Sequence, residues 1–600
     1  MEKLISLREN VDWEIKAERH EFFRQLDPLI VDWKAPLPNL RDFFRPEEIE
    51  RLLSHCINYS FESRTYHQGQ LFVRFAAATG YRYEPKVDEN DGEPLLLLRR
   101  TTALHQAARV LQGYRAAGRD VIRELFKIYD IFDANYVDES GFTHFHAACM
   151  FDCDVAAKRF LELGQDPNCV WRETGEAPLH LALSSDGSNV NLLEWLMKSG
   201  ANPNLANAEG STPFHIISKK HNDSSLLKMM LELSYDKYRP MLVSARDKLG
   251  NTPLHLALRF GNRDMVEWLL RNGADPNSAN KKGLTPLHVT YRNYDLLVLF
   301  FKINDEKRQP IQVDVPDDSG RTPLQWAVAN MSLNTVDILL DHGADLSNFV
   351  FPSASDFNTK FVWSVYADDF QLRLASGLLA VVERLERKGY ETNRRDAMAV
   401  MRLFAHYELF PKPEDLKRRW YDNKKFAQKA KKIRTRDNDE SSSSLHDLIR
   451  ARPEEAAKLF AITDYHELAG SRKLSENIDK RYRDACALHL CETMSRRFFR
   501  RWAPEALWEL TRYRLPILCC DMIAKQLNNE DLHNICLAND IHVRSRVYSH
   551  PPVAPPPLPE FKMYLYAVGP NPAHALVYAL IRDFSERTER DSIPSAALPP

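Results

Sequence analysis

The chain has 600 residues, and its 81 lysines and arginines nearly balance its 83 aspartates and glutamates. This length implies several folding units, and the balanced charge excludes a global field that would attract nucleic acid or a membrane, so we expect neither as a partner. Nine cysteines without the spacing of a disulfide framework indicate reduced thiols and an intracellular, cytoplasmic protein. No stretch reaches about 18 uninterrupted apolar residues, so no transmembrane helix is expected.

Residues 1–100 contain aromatic-rich helical patches. Pro46-Glu47-Glu48 is typical of a helix start, because acidic side chains in the first turn interact favourably with the helix dipole. We interpret this segment as a helical leader that caps the region after it, since the end of a stacked array exposes an apolar face unless another segment covers it.

Residues 101–350 repeat a helix–turn–helix–loop unit. In its clearest copy, Gly250–Gly283, Thr252-Pro253 is typical of a helix start and Gly273 of a helix end. One such unit cannot bury its own apolar side chains, so it requires copies stacked on both sides. About seven copies are recognisable by the apolar residue of the Thr-Pro-Leu-His position, at Leu104, Phe145, Leu179, Phe214, Leu254, Leu287 and Leu324.

The Thr-Pro-Leu-His motif at 252–255 and the Gly-Ala-Asp-Pro-Asn motif at 273–277 resemble those of the ankyrin repeat. The resemblance implies an all-α solenoid, in which the loops between repeats (the fingers) and the inner helices line a concave face that binds a protein target. It implies target-binding residues at exposed positions of the fingers and inner helices, namely Glu209, Asp247, Lys248, Leu256, Lys281, Lys282, Val289, Asp317, Asp318 and Trp326. The alternative is that the variable tips are only solvated surface.

Residues 351–443 leave the repeat and form a helical segment with a basic linker. Leucine spacing predicts one helix around 372–382, and a second apolar pattern predicts another around 398–404. The basic run at 416–436 is open to three interpretations, a nuclear-import signal, an anion-binding patch or a solvated helix face that enters a flexible linker. A nuclear location is therefore the alternative to a cytoplasmic one.

Residues 444–547 are densely helical. Pro516 suits a helix start, and Asn528 or Asn529 can cap a following short helix. Cys519, Ile523 and Leu527 recur every four residues, which places them on one apolar face, with Cys519 expected in a core.

The same stretch resembles the PRANC domain of poxvirus and parasitoid-wasp ankyrin proteins, which is similar to a shortened F-box. The resemblance is carried by Leu515-Pro516, Ile523, Leu527, Asn529-Glu530-Asp531-Leu532 and Ile535-Cys536. It implies docking of the adaptor subunit of an SCF-type cullin–RING ubiquitin ligase through Leu515, Pro516, Ile523, Leu527, Leu532 and Ile535. The spacing by itself fits the core of a small helical bundle equally well.

The Pro-rich tail, residues 548–600, begins with a run expected to form a polyproline helix, either a ligand for an SH3-like or WW-like domain or a stiff spacer. The chain lacks the phosphate-loop, dinucleotide-binding and nucleophile-elbow motifs. The cluster His144, His146, Cys149 and Cys153 matches none of the usual zinc-ligand spacings. We therefore expect neither metal, cofactor nor catalysis.

The sequence thus predicts a protein-binding adaptor that brings an ankyrin-bound target to a ubiquitin ligase. The alternative is a binding protein that sequesters a signalling or transcription factor without recruiting a ligase.

Overall fold

The computed structural model describes residues 6–7, 11–12, 15–33, 36–62, 68–84, 99–185, 189–220, 224–290, 293–353, 356–357, 370–412, 414–415, 419–434 and 443–547. The predicted Pro-rich tail (548–600) lies outside them, as do residues 416–418 and 435–436 of the basic run. The chain divides into two compact units, Met1–Gln312 and Val313–Pro600. In the described ranges both units are built from α-helices and short 3-10 turns, without strands, as the sequence predicts. None of the helices described is long and apolar enough to cross a membrane.

The first unit opens with three helices that precede the repeats. They are α1 Lys16–Val31, α2 Pro46–Glu62 and α3 Gln68–Ala78. Helix α2 packs against the first helix of the repeats and α3 against the second. The hydroxyl of Tyr129, the residue that follows that second helix, donates a hydrogen bond to the buried Glu50 carboxylate of α2. The leader therefore covers the outer side of the first repeat.

Six helix pairs follow in the first unit, and each pair is one repeat. Their bounds are α4 Ala103–Leu111, α5 Arg115–Ile128, α6 His144–Met150, α7 Asp154–Glu162, α8 Pro178–Leu183, α9 Val190–Lys198, α10 Pro213–Ser218, α11 Ser224–Leu233, α12 Pro253–Phe260, α13 Arg263–Arg271, α14 Pro286–Val289 and α15 Tyr294–Glu306. First helices pack on first helices of neighbouring repeats and second helices on second helices. Leu254 and Leu269 are fully buried, because each helix pair presents apolar side chains to the next.

The second unit begins with one more helix pair and continues as a helical bundle. Its helices are α16 Pro323–Ala329, α17 Leu333–Asp341, α18 Phe370–Arg387, α19 Arg394–His406, α20 Lys424–Ala430, α21 Leu445–Arg450, α22 Pro453–Leu459, α23 Ile462–Gly470, α24 Lys473–Asn477, α25 Lys480–Leu510, α26 Ile517–Gln526 and α27 Asn529–Val547. Helix α18 packs on α17, and the 31-residue α25 packs against α18, α26 and α27. Helix α25 is thus the central element of the bundle.

The hairpin of α26 and α27 is fixed to α25 by a buried polar network. The Arg496 guanidinium donates to the carbonyl oxygens of Ala524 and Lys525, at 3.2 Å each, in the last turn of α26. The Glu492 carboxylate accepts from the backbone N–H of Asn529 at 2.9 Å, where α27 begins. Two helix ends with unsatisfied backbone groups are therefore capped by side chains of a third helix.

Asn528, not Asn529, is the cap of α27. Its side-chain oxygen accepts from the backbone N–H of Asp531 at 2.8 Å. The helix that follows has 19 residues and is not the short helix that the sequence suggested. Asn529 is fully buried, and its amide donates to the Ser495 hydroxyl at 2.8 Å.

Candidate protein-binding surfaces

Five fingers are each closed by an Asp or Asn side chain at the start of the finger. Asp247 Oδ1 accepts from the backbone N–H groups of Leu249 at 2.9 Å and Asn251 at 2.8 Å. Asn280 makes the same pair of contacts with Lys282 and Leu284, at 2.9 and 3.0 Å. These side chains replace backbone partners that a tight turn lacks, which is why Asp and Asn recur at this position.

The finger tips of the first unit are linked to one another by backbone hydrogen bonds. The N–H of Lys248 donates to the carbonyl of Glu209 at 2.7 Å, and the N–H of Lys281 donates to the carbonyl of Leu249 at 2.9 Å. Gly250 has φ +79°, and a Cβ there would lie 2.7 Å from the nitrogen of Lys281. Glycine thus permits both the left-handed turn and the close approach of the next finger, so the tips form a continuous, fixed row.

A histidine ladder lies beneath the fingers. Nε2 of His215 lies 3.1 Å from the carbonyl oxygen of Asn251, and Nε2 of His255 lies 2.9 Å from that of Leu284. Because a carbonyl oxygen can only accept, Nε2 carries the proton, and Nδ1 accepts from the backbone N–H of the threonine three residues earlier. Burial lowers the pKa of His255 to about 4, so this imidazole is neutral at pH 7.

The structure separates the predicted target-binding residues by exposure. The tip residues Glu209, Lys248, Lys281, Lys282 and Asp318 are exposed, and Asp247, Val289 and Trp326 are partly buried. The expected exposure of Leu256 is wrong, since its side chain is 5 % exposed. Helix α12 packs against α10 on one side and α14 on the other, and this stacking leaves Leu256 little access to solvent.

The expected exposure of Asp317 is also wrong. Its buried carboxylate accepts from the backbone N–H of Ser319 and Arg321, both at 2.9 Å, and from the Trp326 indole at 2.9 Å. Although burial alone raises the pKa of Asp317, these hydrogen bonds and the Arg321 guanidinium hold that pKa below its usual value. Asp317 therefore holds its own finger together, and only its neighbour Asp318 presents a carboxylate to solvent.

One exposed apolar finger residue was missed by the sequence reasoning. Leu249 lies at a finger tip between Lys248 and Gly250, and its side chain is 62 % exposed. The signal was present in the sequence, because the four-residue turn Asp247–Gly250 places a leucine before its glycine, where other fingers have Ser, Thr, Glu or Lys. An exposed leucine on a fixed backbone is a candidate anchor for a protein partner.

The predicted ligase-docking residues fall into two groups. Leu527 is 2 % exposed, and Leu532 and Ile535 are fully buried, so these three side chains lie in the core of the bundle and are not exposed for the predicted docking. Pro516 is exposed, and Leu515 and Ile523 are partly buried. The α26–α27 hairpin packs on α25, and this packing buries the apolar face that runs from the end of α26 into α27.

An apolar surface does remain exposed on α26. Leu518 is 75 % and Met522 66 % exposed, one turn apart, and Ile517 beside them is also exposed. Cys519, expected in the core, is exposed, while Cys520 and Ala524 are buried instead. We call Ile517, Leu518 and Met522 the α26 patch.

The His–Cys cluster considered for zinc is used for packing. Nε2 of His144 lies 2.8 Å from the Thr102 hydroxyl, and Nε2 of His146 lies 3.2 Å from the carbonyl oxygen of Cys169. Burial holds the pKa of His144 well below its usual value and raises that of Cys149 well above it. Within the described ranges, no group of three or more His, Cys, Asp or Glu side chains is arranged to hold a metal ion.

Comparison with known proteins is consistent with these helix pairs. The family model "Ankyrin repeats (3 copies)" matches residues 104–207, 179–280 and 270–349. The human transient receptor potential cation channel subfamily A member 1 is 29 % identical over 177 residues, 29 % of this chain and 15 % of that protein. The mouse B-cell lymphoma 3 protein homolog is 27 % identical over 270 residues, 44 % of this chain and 48 % of that protein. The chain thus spans less than half the length of either relative.

Among solved structures, the crystal structure of the ankyrin repeat domain of Bcl-3 matches with 26 % identity and a TM-score of 0.29, covering 35 % of this chain and 90 % of that one. The matches of the family model fall on the region of recurring helix pairs. They identify residues 104–349 as ankyrin repeats, which implies a role in protein–protein interaction.

Proposed function

We propose that this chain is an adaptor, whose ankyrin repeats bind a target protein and whose α26 region binds the adaptor subunit of an SCF-type ubiquitin ligase. The observation that carries the second half is the α26 patch. It presents two large apolar side chains, Leu518 and Met522, on one exposed helical face. Such a face fits a helix-in-groove interface, in which a few large side chains supply most of the affinity.

Two further features support this assignment. The patch directly follows Leu515-Pro516, the pair that resembles an F-box-like helix start, and Pro516 is itself exposed. Helix α26 is also held in place from behind, because Arg496 caps its last turn and Cys520 and Ala524 are buried under it. A docking helix that is already ordered loses little conformational entropy on binding.

The chain supplies proximity in this proposal. A target held by the repeats would have a high effective concentration near the recruited ligase. Ubiquitin transfer would be carried out by the ligase, and no residue of this chain needs to take part in it.

Co-purification tests the proposal. Tagged full-length chain should capture the ligase adaptor subunit, and the double variant Leu518→Ser/Met522→Ser should lose that capture. Ile541→Ser, which changes an exposed apolar residue on α27, is the matched control and should retain it. Failure of the wild-type chain to capture the subunit, or capture that survives the double variant, would refute ligase recruitment and favour sequestration of the target.

A further inference from the structure

The finger tips carry a surface whose chemistry specifies a kind of target. We define the finger patch as Lys248, Leu249, Lys281 and Lys282, which belong to two successive fingers of the first unit. All four side chains are exposed. We propose that the finger patch binds an acidic protein segment whose apolar side chain packs on Leu249. This inference rests on the proposed function, because it names the chemistry of the target that the repeats recruit.

The two fingers are fixed against each other, so the four side chains project from one rigid site. The backbone N–H of Lys281 donates to the carbonyl of Leu249 at 2.9 Å. The backbone N–H of Leu249 donates to the Asp247 side chain, and the backbone N–H of Lys282 donates to the Asn280 side chain. Partner binding therefore requires no ordering of the backbone, which lowers the entropic cost of binding.

The charge of the finger patch is positive and incompletely neutralised. Lys248 forms an exposed ion pair with Glu209, at 3.1 Å between Nζ and Oε1. Among the residues that the structure describes, no carboxylate lies within ion-pair distance of Lys281 or Lys282. The Asp247 carboxylate forms no ion pair with either lysine, and it accepts hydrogen bonds from the backbone N–H and the side-chain amide of Asn251. An acidic partner would supply the missing negative charge.

The apolar centre distinguishes a protein segment from a nucleic acid. Leu249 is 62 % exposed, and a partner side chain that covered it would remove apolar surface from water. The finger patch has no aromatic ring on which a base could stack. One leucine surrounded by lysines is complementary to a protein segment in which an apolar residue is flanked by Asp and Glu.

A random-peptide display library selected on the full-length chain tests this inference. We expect the enriched peptides to carry an apolar residue with Asp or Glu on both sides. For a synthetic copy of an enriched peptide, fluorescence anisotropy should show that Leu249→Ser and Lys281→Glu/Lys282→Glu each raise Kd about tenfold or more, the cost expected for an interface anchor. Raising the salt from about 0.1 to about 1 M should weaken binding of the wild-type chain, because charge attraction is then screened.

The control is Val155→Ser, which changes an equally exposed apolar residue on α7 and should leave Kd unchanged. The inference is overturned if the enriched peptides lack acidic residues, or if Kd is insensitive to both finger variants. It is also overturned if single-stranded DNA of equal charge binds the chain as tightly and with the same dependence on Leu249. These readouts do not involve the ligase subunit, so they fail or succeed separately from the capture experiment on α26.

Discussion

Nε2 of His255 lies 2.9 Å from the carbonyl oxygen of Leu284 and ties one ankyrin repeat to the finger of the next. The other ring nitrogen accepts from the backbone N–H of Thr252 at 3.1 Å, so a single neutral imidazole satisfies both a donor and an acceptor. In the second unit Gln325 makes the equivalent pair of contacts, with Thr322 at 2.8 Å and the carbonyl of Val350 at 2.9 Å. An uncharged side-chain amide can therefore make the same two hydrogen bonds as the neutral histidine.

This equivalence predicts the effect of changing His255. We expect His255→Ala to lower the free energy of unfolding by about 1–3 kcal/mol, because it leaves buried backbone groups without partners. His255→Gln should retain most of that stability, as Gln325 does in its own repeat. Urea denaturation at pH 7.5 measures both. Equal losses for the two variants would mean that ring packing, not hydrogen bonding, is what the site contributes.

The same histidines predict a loss of stability in mild acid. Burial lowers the pKa of His105, His146 and His255 from 6.5 to about 4 in the folded chain. These histidines therefore take up protons in the unfolded chain as the pH falls through 6.5, whereas in the folded chain they stay neutral until about pH 4. The contribution of these neutral histidines to the free energy of unfolding is complete above pH 6.5. It is lost between pH 6.5 and 4, at about 1.4 kcal/mol per pKa unit for each histidine.

Thermal unfolding of the wild-type chain and of His255→Gln from pH 7.5 to 4.5 measures this effect. The variant should show a shallower decline, because glutamine does not titrate. An identical pH dependence in the two proteins would contradict the assignment of a neutral histidine.

Gly250 should tolerate no side chain. Gly250→Ala combines a left-handed φ of +79° with a Cβ placed 2.7 Å from the nitrogen of Lys281, and we expect a cost of about 2–4 kcal/mol. Gly273 has φ +90° with no neighbouring atom within 4 Å, so Gly273→Ala should cost only the backbone strain, about 1–2 kcal/mol. Chemical denaturation ranks the two. A larger loss for Gly273→Ala would show that contact between fingers is unimportant at Gly250.

The core and the surface of the repeats should respond differently to truncation. Leu254→Ala removes a fully buried side chain between stacked helices and should cost about 2–5 kcal/mol. Lys281→Ala, at an exposed finger tip, should cost less than about 0.5 kcal/mol. If urea denaturation shows the lysine variant to be the less stable of the two, the assignment of inner and outer faces is wrong.

In the second unit, Arg496 should be essential to the α26–α27 hairpin. It is buried, and Arg496→Ala would leave Glu492 and the carbonyls of α26 without their partner, at a cost of about 3–5 kcal/mol. The neighbouring Arg497 is exposed, so Arg497→Ala is the control and should be nearly neutral. Limited proteolysis near α26 and urea denaturation distinguish the two. Unchanged protection in Arg496→Ala would contradict the capping role.

The repeats were predictable from the sequence because their signals are local. Thr252-Pro253 favours a helix start and Gly261 ends that helix. The unit recurs along the chain at a spacing close to the length of one helical hairpin. The finger that starts at Asp247 could be recognised as a turn for the same reason, since an aspartate side chain can accept a hydrogen bond from the backbone N–H two residues later. Such features depend on a few neighbouring residues, so the fold class follows from them.

Exposure could not be read in this way, because it depends on residues distant in the chain. Helix α26 has apolar residues on several sides, and periodicity cannot decide which side α25 covers. The tertiary structure buries Cys520 and Leu527 and leaves Leu518 exposed. The sequence by itself determined the repeated helix pairs, whereas long-range packing alone decided which apolar side chains form the core and which remain available to a partner.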